Sequence, residues 1–319
     1  MRTLAVFSSA LAACPLFFYS LSVADERHSD QPVRLPIQTA ISTQLPESTT
    51  LVLLGTGTPR PTPDKMGPAT AVVVGQRVFL FDAGVGVERR LAGAHLPTNG
   101  VTAAFITHLH SDHVLGLPDL IFSSWIFGRS KPFGLYGPPG LRDMIEHFYA
   151  AFSEDIRIRT TGLERETPGG YRVTVHEIQP GVVFDSGGVR VRAFRVNHGA
   201  WRDAFGYRID TPDRSIVISG DTRPSEELIK QATGVDILVH EVQYPMTRAP
   251  SGRAEVDWPR YVAEYHTTAA QLGELAARAN PHLLVITHNA QIEAADSIMA
   301  AVRQGFHGRV VMGHDLDRF

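Results

Sequence analysis

Six consecutive residues constrain this 319-residue chain more than any others: His108-Leu109-His110-Ser111-Asp112-His113 sets three imidazoles and a carboxylate side by side. The apolar run 101–107 before them reads as a strand and residues 115–127 after them as a helix, so the cluster sits on a strand-to-helix connection. In an extended chain, side chains two apart share a face, and His108 and His110 can therefore meet one cation. Asp112 and His113 lie past the turn, where they can face a second cation, or Asp112 can simply cap the helix. Only one cysteine is present, Cys14, and it lies in an apolar N-terminal run. If that run is removed, any metal centre must use nitrogen and oxygen ligands.

The start of the chain reads as a secretory signal over residues 1–24. Met1-Arg2 precedes the apolar run 4–23, small residues stand at Ser22 and Ala24, and Asp25-Glu26-Arg27 follows. Two other readings stay open: an uncleaved anchor, because the run nearly spans a bilayer, and a lipoprotein box at Leu11-Ala12-Ala13-Cys14. All three imply an exported protein, periplasmic or secreted, with no membrane contact beyond this segment. Residues 25–49 are polar and carry Pro32, Pro36 and Pro46, as a linker would. From residue 50 to 319 no break in composition divides the chain, and 43% hydrophobic residues suffice for a large core. With 30 basic and 33 acidic residues the net charge is -3, so no overall basic excess exists to hold a nucleic-acid backbone.

Strand-like runs at 51–54, 70–74, 77–81, 101–107, 189–196, 215–219, 237–240, 283–287 and 309–312 alternate with helical patterns at 85–94, 115–127, 141–152, 225–232, 267–278 and 292–303. Thr268 and Gln271 have capping-box spacing, and Pro281 stops that helix after Asn280. Phe105-Ile106-Thr107-His108 and Val285-Ile286-Thr287-His288 are both apolar strands ending in Thr-His, suggesting two similar layers that meet at one site.

His108-x-His110-x-Asp112-His113 resembles the signature of the metallo-β-lactamase superfamily. His198 after Val196-Asn197, Asp221 in Ser219-Gly220-Asp221-Thr222, and His288 after Ile286-Thr287 match that family's later ligand motifs, each following an apolar strand. Taken singly, His198 reads equally as a loop histidine and Asp221 as a turn residue ahead of Pro224. The resemblance covers about residues 50–319 and implies an α/β fold, the four-layer αββα sandwich. It implies one Zn²⁺ on His108, His110 and His198, a second on Asp112, His113 and His288, and Asp221 bridging them. Mn²⁺ or Fe²⁺ would tolerate the same donors. Five neutral imidazoles and two carboxylates against two dications leave about two positive charges for a hydroxide and an anionic substrate. The nucleophile so implied is a hydroxide between the metals, with Asp112 also orienting it.

Further matches resemble the ribonuclease Z and arylsulfatase-like branch. Leu54-Gly55-Thr56-Gly57-Thr58-Pro59 is similar to an N-terminal Gly-Thr-Gly motif. Phe81-Asp82-Ala83-Gly84 resembles the motif whose carboxylate steadies a ligating imidazole from behind, although Asp82 alone would also suit a turn. Val239-His240-Glu241-Val242 resembles a His-Glu box, with His240 expected behind the ligands, but continues Val242-Gln243 where that family has Ala-Thr. Tyr265-His266-Thr267-Thr268 resembles a later His-Ser/Thr-Thr motif. The resemblance implies that His266, paired with Glu241, protonates the leaving group; the plainer reading puts His266 at a helix start. Residues 241–265, with Trp258 and Tyr261, either cover the site or form a surface loop.

One departure shapes the substrate expectation. Ribonuclease Z grips transfer RNA with a long basic arm, and residues 113–198 contain no such insert; Arg157, Arg159 and Arg165 read as a solvated face. Together with the export signal, this makes a small-molecule anionic ester the expected substrate and disfavours transfer RNA; a homodimer is compatible with the sequence. The expected function is a dinuclear zinc hydrolase of phosphodiesters or related esters. Arylsulfatase and lactonase chemistry on the same metals, and a non-catalytic metal-binding module, remain as alternatives. A true zinc β-lactamase does not normally carry this Asp221.

Overall fold

The computed structural model describes residues 48–243, 257–289 and 294–319. The expected signal segment with Cys14, nearly all of the linker and the middle of the 241–265 segment lie outside the described residues. Two sheets make up the centre. The first runs in chain order through β1 (Thr50–Gly55), β2 (Ala69–Val74), β3 (Arg77–Phe81), β4 (Val101–Phe105), β5 (Gly134–Gly137) and β6 (Thr174–Glu177). The second comprises β7 (Gly181–Ser186), β8 (Val189–Arg195), β9 (Phe205–Asp210), β10 (Ser215–Ile218), β11 (Ile237–Glu241), β12 (Leu283–Thr287) and β13 (Arg309–Met312). Each sheet begins as an antiparallel meander and turns parallel, from β3 onward in the first and from β10 onward in the second.

The strands show why this is a four-layer sandwich. Leu51, Leu53, Phe79 and Phe81 enter the core between the sheets, whereas Val52, Leu54, Val78 and Leu80 pack outward with the helices. In the second sheet Ile237, Val239 and Val285 face the first, while Leu238, Leu284 and Ile286 face a separate helix layer. Successive side chains of a strand point to opposite faces, so strands buried on both faces become continuous apolar runs. On the first sheet lie α1 (Val87–Gly93), α3 (Leu117–Ile126) and α4 (Leu141–Ala151), with α2 (Ser111–Val114) at its edge and α5 (Ser153–Thr161) beyond. On the second lie α6 (Glu226–Ala232), α8 (Ala269–Ala279) and α9 (Ala295–Gly305), while α7 (Trp258–Tyr265) leads into His266. The αββα expectation holds.

Three devices set the position of the site. Phe105 stacks between Phe81 and Tyr136 at 5.0 Å in each case, and the Tyr207 hydroxyl donates to the Ile106 carbonyl at 2.7 Å, tying the sheets together where β4 ends. Thr268 and Gln271 close the expected capping box on α8, and Asn280 ends that helix in a left-handed conformation. Finally, the C-terminal tail pairs with β1, and Asp315 accepts from the Thr56 amide and hydroxyl and from the Met66 amide. That anchors the Gly-Thr-Gly loop, where a Cβ on Gly55 would meet the Gly67 carbonyl oxygen at 1.9 Å. Among the described residues no helix is long and apolar enough to cross a membrane.

Candidate metal centre

Parallel strands end at a common edge, and the site is built from those ends. Phe81 pairs with Phe105 in parallel, so Asp82 and the loop to His108 leave the first sheet together. In the second sheet Ile218 pairs with Val239, Val239 with Val285 and Glu241 with Thr287. Asp221, Glu241 and His288 therefore leave at the same level. His198 comes from the connection between β8 and β9, which is held to the first sheet by the Phe205 amide donating to the Thr107 carbonyl at 2.9 Å. Gly84 lets the backbone of Asp112 approach so closely that a Cβ there would meet the Asp112 carbonyl oxygen at 2.6 Å. Asp82 and His288 both hold left-handed φ, 60° and 49°, which costs a non-glycine residue energy and marks residues held in place by their surroundings.

Two donor groups result: His108, His110, His198 and Asp221 in one, and Asp112, His113 and His288 in the other. His110 Nδ1 lies 2.9 Å from His108 Nε2 and 3.1 Å from His198 Nε2. Asp112 Oδ2 lies 3.3 Å from His288 Nε2 and 3.6 Å from His113 Nε2. Asp221 Oδ2 stands between the groups, 3.5 Å from both His113 Nε2 and His288 Nε2 and 3.9 Å from His198 Nε2. All seven are buried except His110, which is half-exposed.

The far side of the imidazoles shows that the donors fit a cation. His198 Nδ1 donates to the Tyr265 carbonyl at 2.8 Å, and His113 Nδ1 to Asp82 Oδ2 at 2.8 Å. His108 Nδ1 meets the Thr107 hydroxyl at 3.0 Å, and that hydroxyl is itself committed to Asp82. Each of these contacts places the ring proton outward and turns the Nε2 lone pair into the site. His113 Nε2 is buried with no hydrogen-bond partner. It faces the Asp112 and Asp221 carboxylates, an arrangement of lone pairs that is repulsive unless a cation or a proton lies among them.

Ionisation agrees with this chemistry. Burial pushes His108 well below its usual range and His110 down to about 4, keeping both neutral. Burial also opposes charge on His113, but the Asp221 and Asp82 carboxylates outweigh it and hold that imidazole well above its usual value. Against the same burial, His288 and His113 keep Asp221 well below the ordinary carboxylate range. A dication beside these carboxylates would take over the role of the proton.

Beside both groups stands the expected proton-donor pair. His266 Nδ1 lies 3.2 Å from Glu241 Oε1, which also accepts from the Thr222 and Thr267 amides. Burial would lower the His266 pKa, but Glu241 overrides it and raises it to about 9. The His266 ring is 5.3 Å from that of His198, and its Nε2 is 3.4 Å from the Tyr261 hydroxyl. Tyr261 and Trp258, on α7, thus flank the site rather than forming a detached loop.

His240 is set apart. It follows Val239 on β11 and faces the opposite side from Glu241; its Nδ1 donates to the Glu241 carbonyl, and it hydrogen-bonds to none of the seven donors. Trp201, unmarked in the sequence by any motif or period, donates its indole N–H to His110 Nε2 at 2.7 Å. That leaves the ring's one proton on Nδ1, between His108 and His198; a cation held there by Nδ1 would displace that proton and this contact. The only sequence signal of Trp201 is its place three residues after His198. Arg157 and Arg159 pair with Glu154 and Asp155 on α5, a solvated face as expected.

Comparison with known proteins bears on both fold and substrate. Residues 77–289 match the family described as beta-lactamase superfamily domain. A ribonuclease Z of Mycobacterium sp. strain KMS is 36% identical over 279 residues, covering 84% of this chain and 94% of that protein. A ribonuclease Z of Mycobacterium bovis BCG Pasteur is 34% identical over 277 residues, covering 84% and 96%. The crystal structure of human tRNase Z, short form, superposes with TM-score 0.63 at 25% identity, covering 85% of this chain and 98% of that one. A metallo-β-lactamase fold protein of Bacillus subtilis gives 0.64 at 16% identity, covering 85% and 98%, a likeness of fold alone. These findings overturn the expectation of a small-molecule ester with transfer RNA disfavoured. The missing arm was the wrong discriminator: this chain spans 94% of the first ribonuclease Z, so that protein has no room for a long extra insert either.

Proposed function

Since the chain belongs to the metallo-β-lactamase superfamily as a ribonuclease Z-like, metal-dependent hydrolase, we propose that it cleaves RNA phosphodiester bonds, those of transfer-RNA precursors first, with two zinc ions. The observation that carries this reading is the Asp221 carboxylate standing between two histidine-rich donor groups, with a buried His–Glu pair at their side. His108, His110 and His198 would hold one ion, Asp112, His113 and His288 the other, and Asp221 both. Such a pair of ions supplies Lewis acidity and makes attack by water on phosphorus feasible near neutral pH. Asp82 and Thr107 keep the His113 and His108 rings in place. Asp112 accepts the proton of the attacking water, the phosphorus–oxygen bond breaks, and His266, charged through Glu241, gives its proton to the departing oxygen.

Metal analysis and RNA cleavage test this together. The purified protein should carry two zinc ions per chain, lose cleavage of an in-vitro-transcribed transfer-RNA precursor with extended ends when treated with a chelator, and regain it with Zn²⁺. Bis-p-nitrophenyl phosphate serves as a short diester probe, and p-nitrophenyl sulfate and acyl-homoserine lactones as controls. Zinc-loaded protein that leaves the precursor intact refutes the reading. We also propose export through residues 1–24, checked by sequencing the N-terminus of the protein recovered from a secreting host, which should begin at Asp25.

A further inference from the structure

A cleft of about 470 Å³ flanks the loop that carries His198, and Arg195, Arg202 and Arg223 line it together with His198 and Trp201. The three arginines differ in what they already hold. Arg195 is committed, donating to Asp203, Gln179 and the Arg202 carbonyl. The one acidic residue in the lining, Glu264, is engaged by Arg260 at 2.7 Å. Arg202 and Arg223 are exposed, and among the described residues their guanidinium groups have neither an ion pair nor a hydrogen bond. Exposed Arg60, Arg165, Arg192 and Arg303 also lack a side-chain partner among the described residues, but none of them lines this cleft. The cleft therefore concentrates two unneutralised cations on a chain whose net charge is -3.

Their position is set by the site itself. Arg223 follows Asp221 by two residues, and its amide donates to the Asn197 carbonyl at 2.9 Å, which lays it against the residue before His198. Arg202 follows His198 by four residues and is next to Trp201, whose indole reaches His110. Each free guanidinium thus rides on a loop that also supplies a donor. A guanidinium offers a phosphate two parallel N–H donors and keeps its charge at every accessible pH.

We infer that Arg202 and Arg223 form a subsite for the RNA backbone phosphates next to the scissile bond. This rests on the reading of the protein as an RNA phosphodiesterase. It adds what holds the strand and at which residues, without an inserted arm.

The test compares wild type with R202Q, R223Q, the double variant and R202K/R223K. Their readouts are cleavage of the extended transfer-RNA precursor, its retention on filters across a salt series, and hydrolysis of bis-p-nitrophenyl phosphate, which carries no second phosphate to place in the cleft. The double glutamine variant should raise KM for RNA about tenfold with little change in kcat. Each lost contact should reduce the salt slope of binding by about 0.7. The loss on RNA should exceed that on the short diester by about tenfold, and the lysine pair should recover part of it. An RNA affinity and salt slope equal to wild type in the double variant overturns the subsite, whether or not the RNA is cleaved. If wild type hydrolyses the short diester but never RNA, the functional reading fails instead, and filter retention still decides the subsite.

Discussion

The two sheets contribute to the metal centre in opposite ways. The first delivers His108, His110, Asp112 and His113 from one loop, so their mutual geometry depends on a few backbone angles after β4. The second delivers His198, Asp221 and His288 from three separate connections. Asp221 and His288 come level because β10, β11 and β12 run parallel in register, and His198 arrives from the antiparallel β8–β9 connection that the Phe205 amide ties to Thr107. A one-residue slip of β12 against β11 would turn every one of its side chains to the other face. The local half is therefore less sensitive to errors elsewhere in the fold, whereas the dispersed half records whether the whole sandwich has assembled. Asp221, from the dispersed half, is nevertheless the residue that touches both donor groups.

The largest predicted effect breaks the molecule at that point. Asp221→Ala should cut hydrolysis of bis-p-nitrophenyl phosphate by about a thousandfold or more, since under the proposed function a carboxylate shared between two dications would be worth several kcal/mol. His110→Ala, which removes a half-exposed donor of one group, should cost about ten- to a hundredfold. Steady-state rates with metal content measured on the same samples check both. Should His110→Ala prove the more damaging, the dispersed half is not the more critical one.

A smaller effect, specific to the chemistry, belongs to the second sheet and α7. His266→Ala should lower cleavage of diesters with poor leaving groups by about a hundredfold or more, and those with p-nitrophenolate far less. Equal losses would remove His266 as the proton donor. With its pKa raised to about 9, His266 keeps its proton across neutral pH, and the alkaline limb of kcat should fall near there. Glu241 favours the charged ring, so Glu241→Gln should shift that limb to lower pH. A limb that stays in place would show that Glu241 only holds the Thr222 and Thr267 amides.

How far the sequence was legible follows the same division. The 108–113 loop could be read from spacing because its donors are neighbours. His198, Asp221 and His288 could not be placed by spacing alone and needed the resemblance to a family. Doubly buried strands such as β11 and β12, five residues each, announced themselves through uninterrupted apolar runs. β5 and β6 are only four residues long, β7 is half-exposed, and β9 opens Phe-Gly, so none made a clear pattern. His240 was expected behind the ligands from its match to a His-Glu box, but neighbours on a strand face opposite ways, and it turns away from the side on which Glu241 meets His266. Trp201 had no signal beyond its place three residues after His198, since its contact comes from a loop folding back over His110.

The smallest effect tests the local half through stability instead of chemistry. Glu88 lies on α1 behind the first sheet, buried, with neither carboxylate oxygen hydrogen-bonded. Burial, reinforced by Asp119 and only partly offset by Arg129, pushes its pKa up to about 8 from 4.5. A carboxyl group raised in the folded state holds its proton there at pH values where the unfolded chain has released it. Its contribution is therefore complete below about pH 4.5 and is lost as pH rises towards 8, above which Glu88 is charged in both states. Glu88→Gln should match wild type in thermal unfolding near pH 4.5 and become progressively more stable than it up to pH 8. The gap there should be on the order of a few kcal/mol, which means several degrees in Tm. Since Glu88 hydrogen-bonds to none of the donors, the substitution should leave metal content equal to that of wild type at both ends of the range. A stability gap that stays constant from pH 4.5 to 8 would mean that Glu88 is ionised in the folded protein and that Arg129 neutralises it after all.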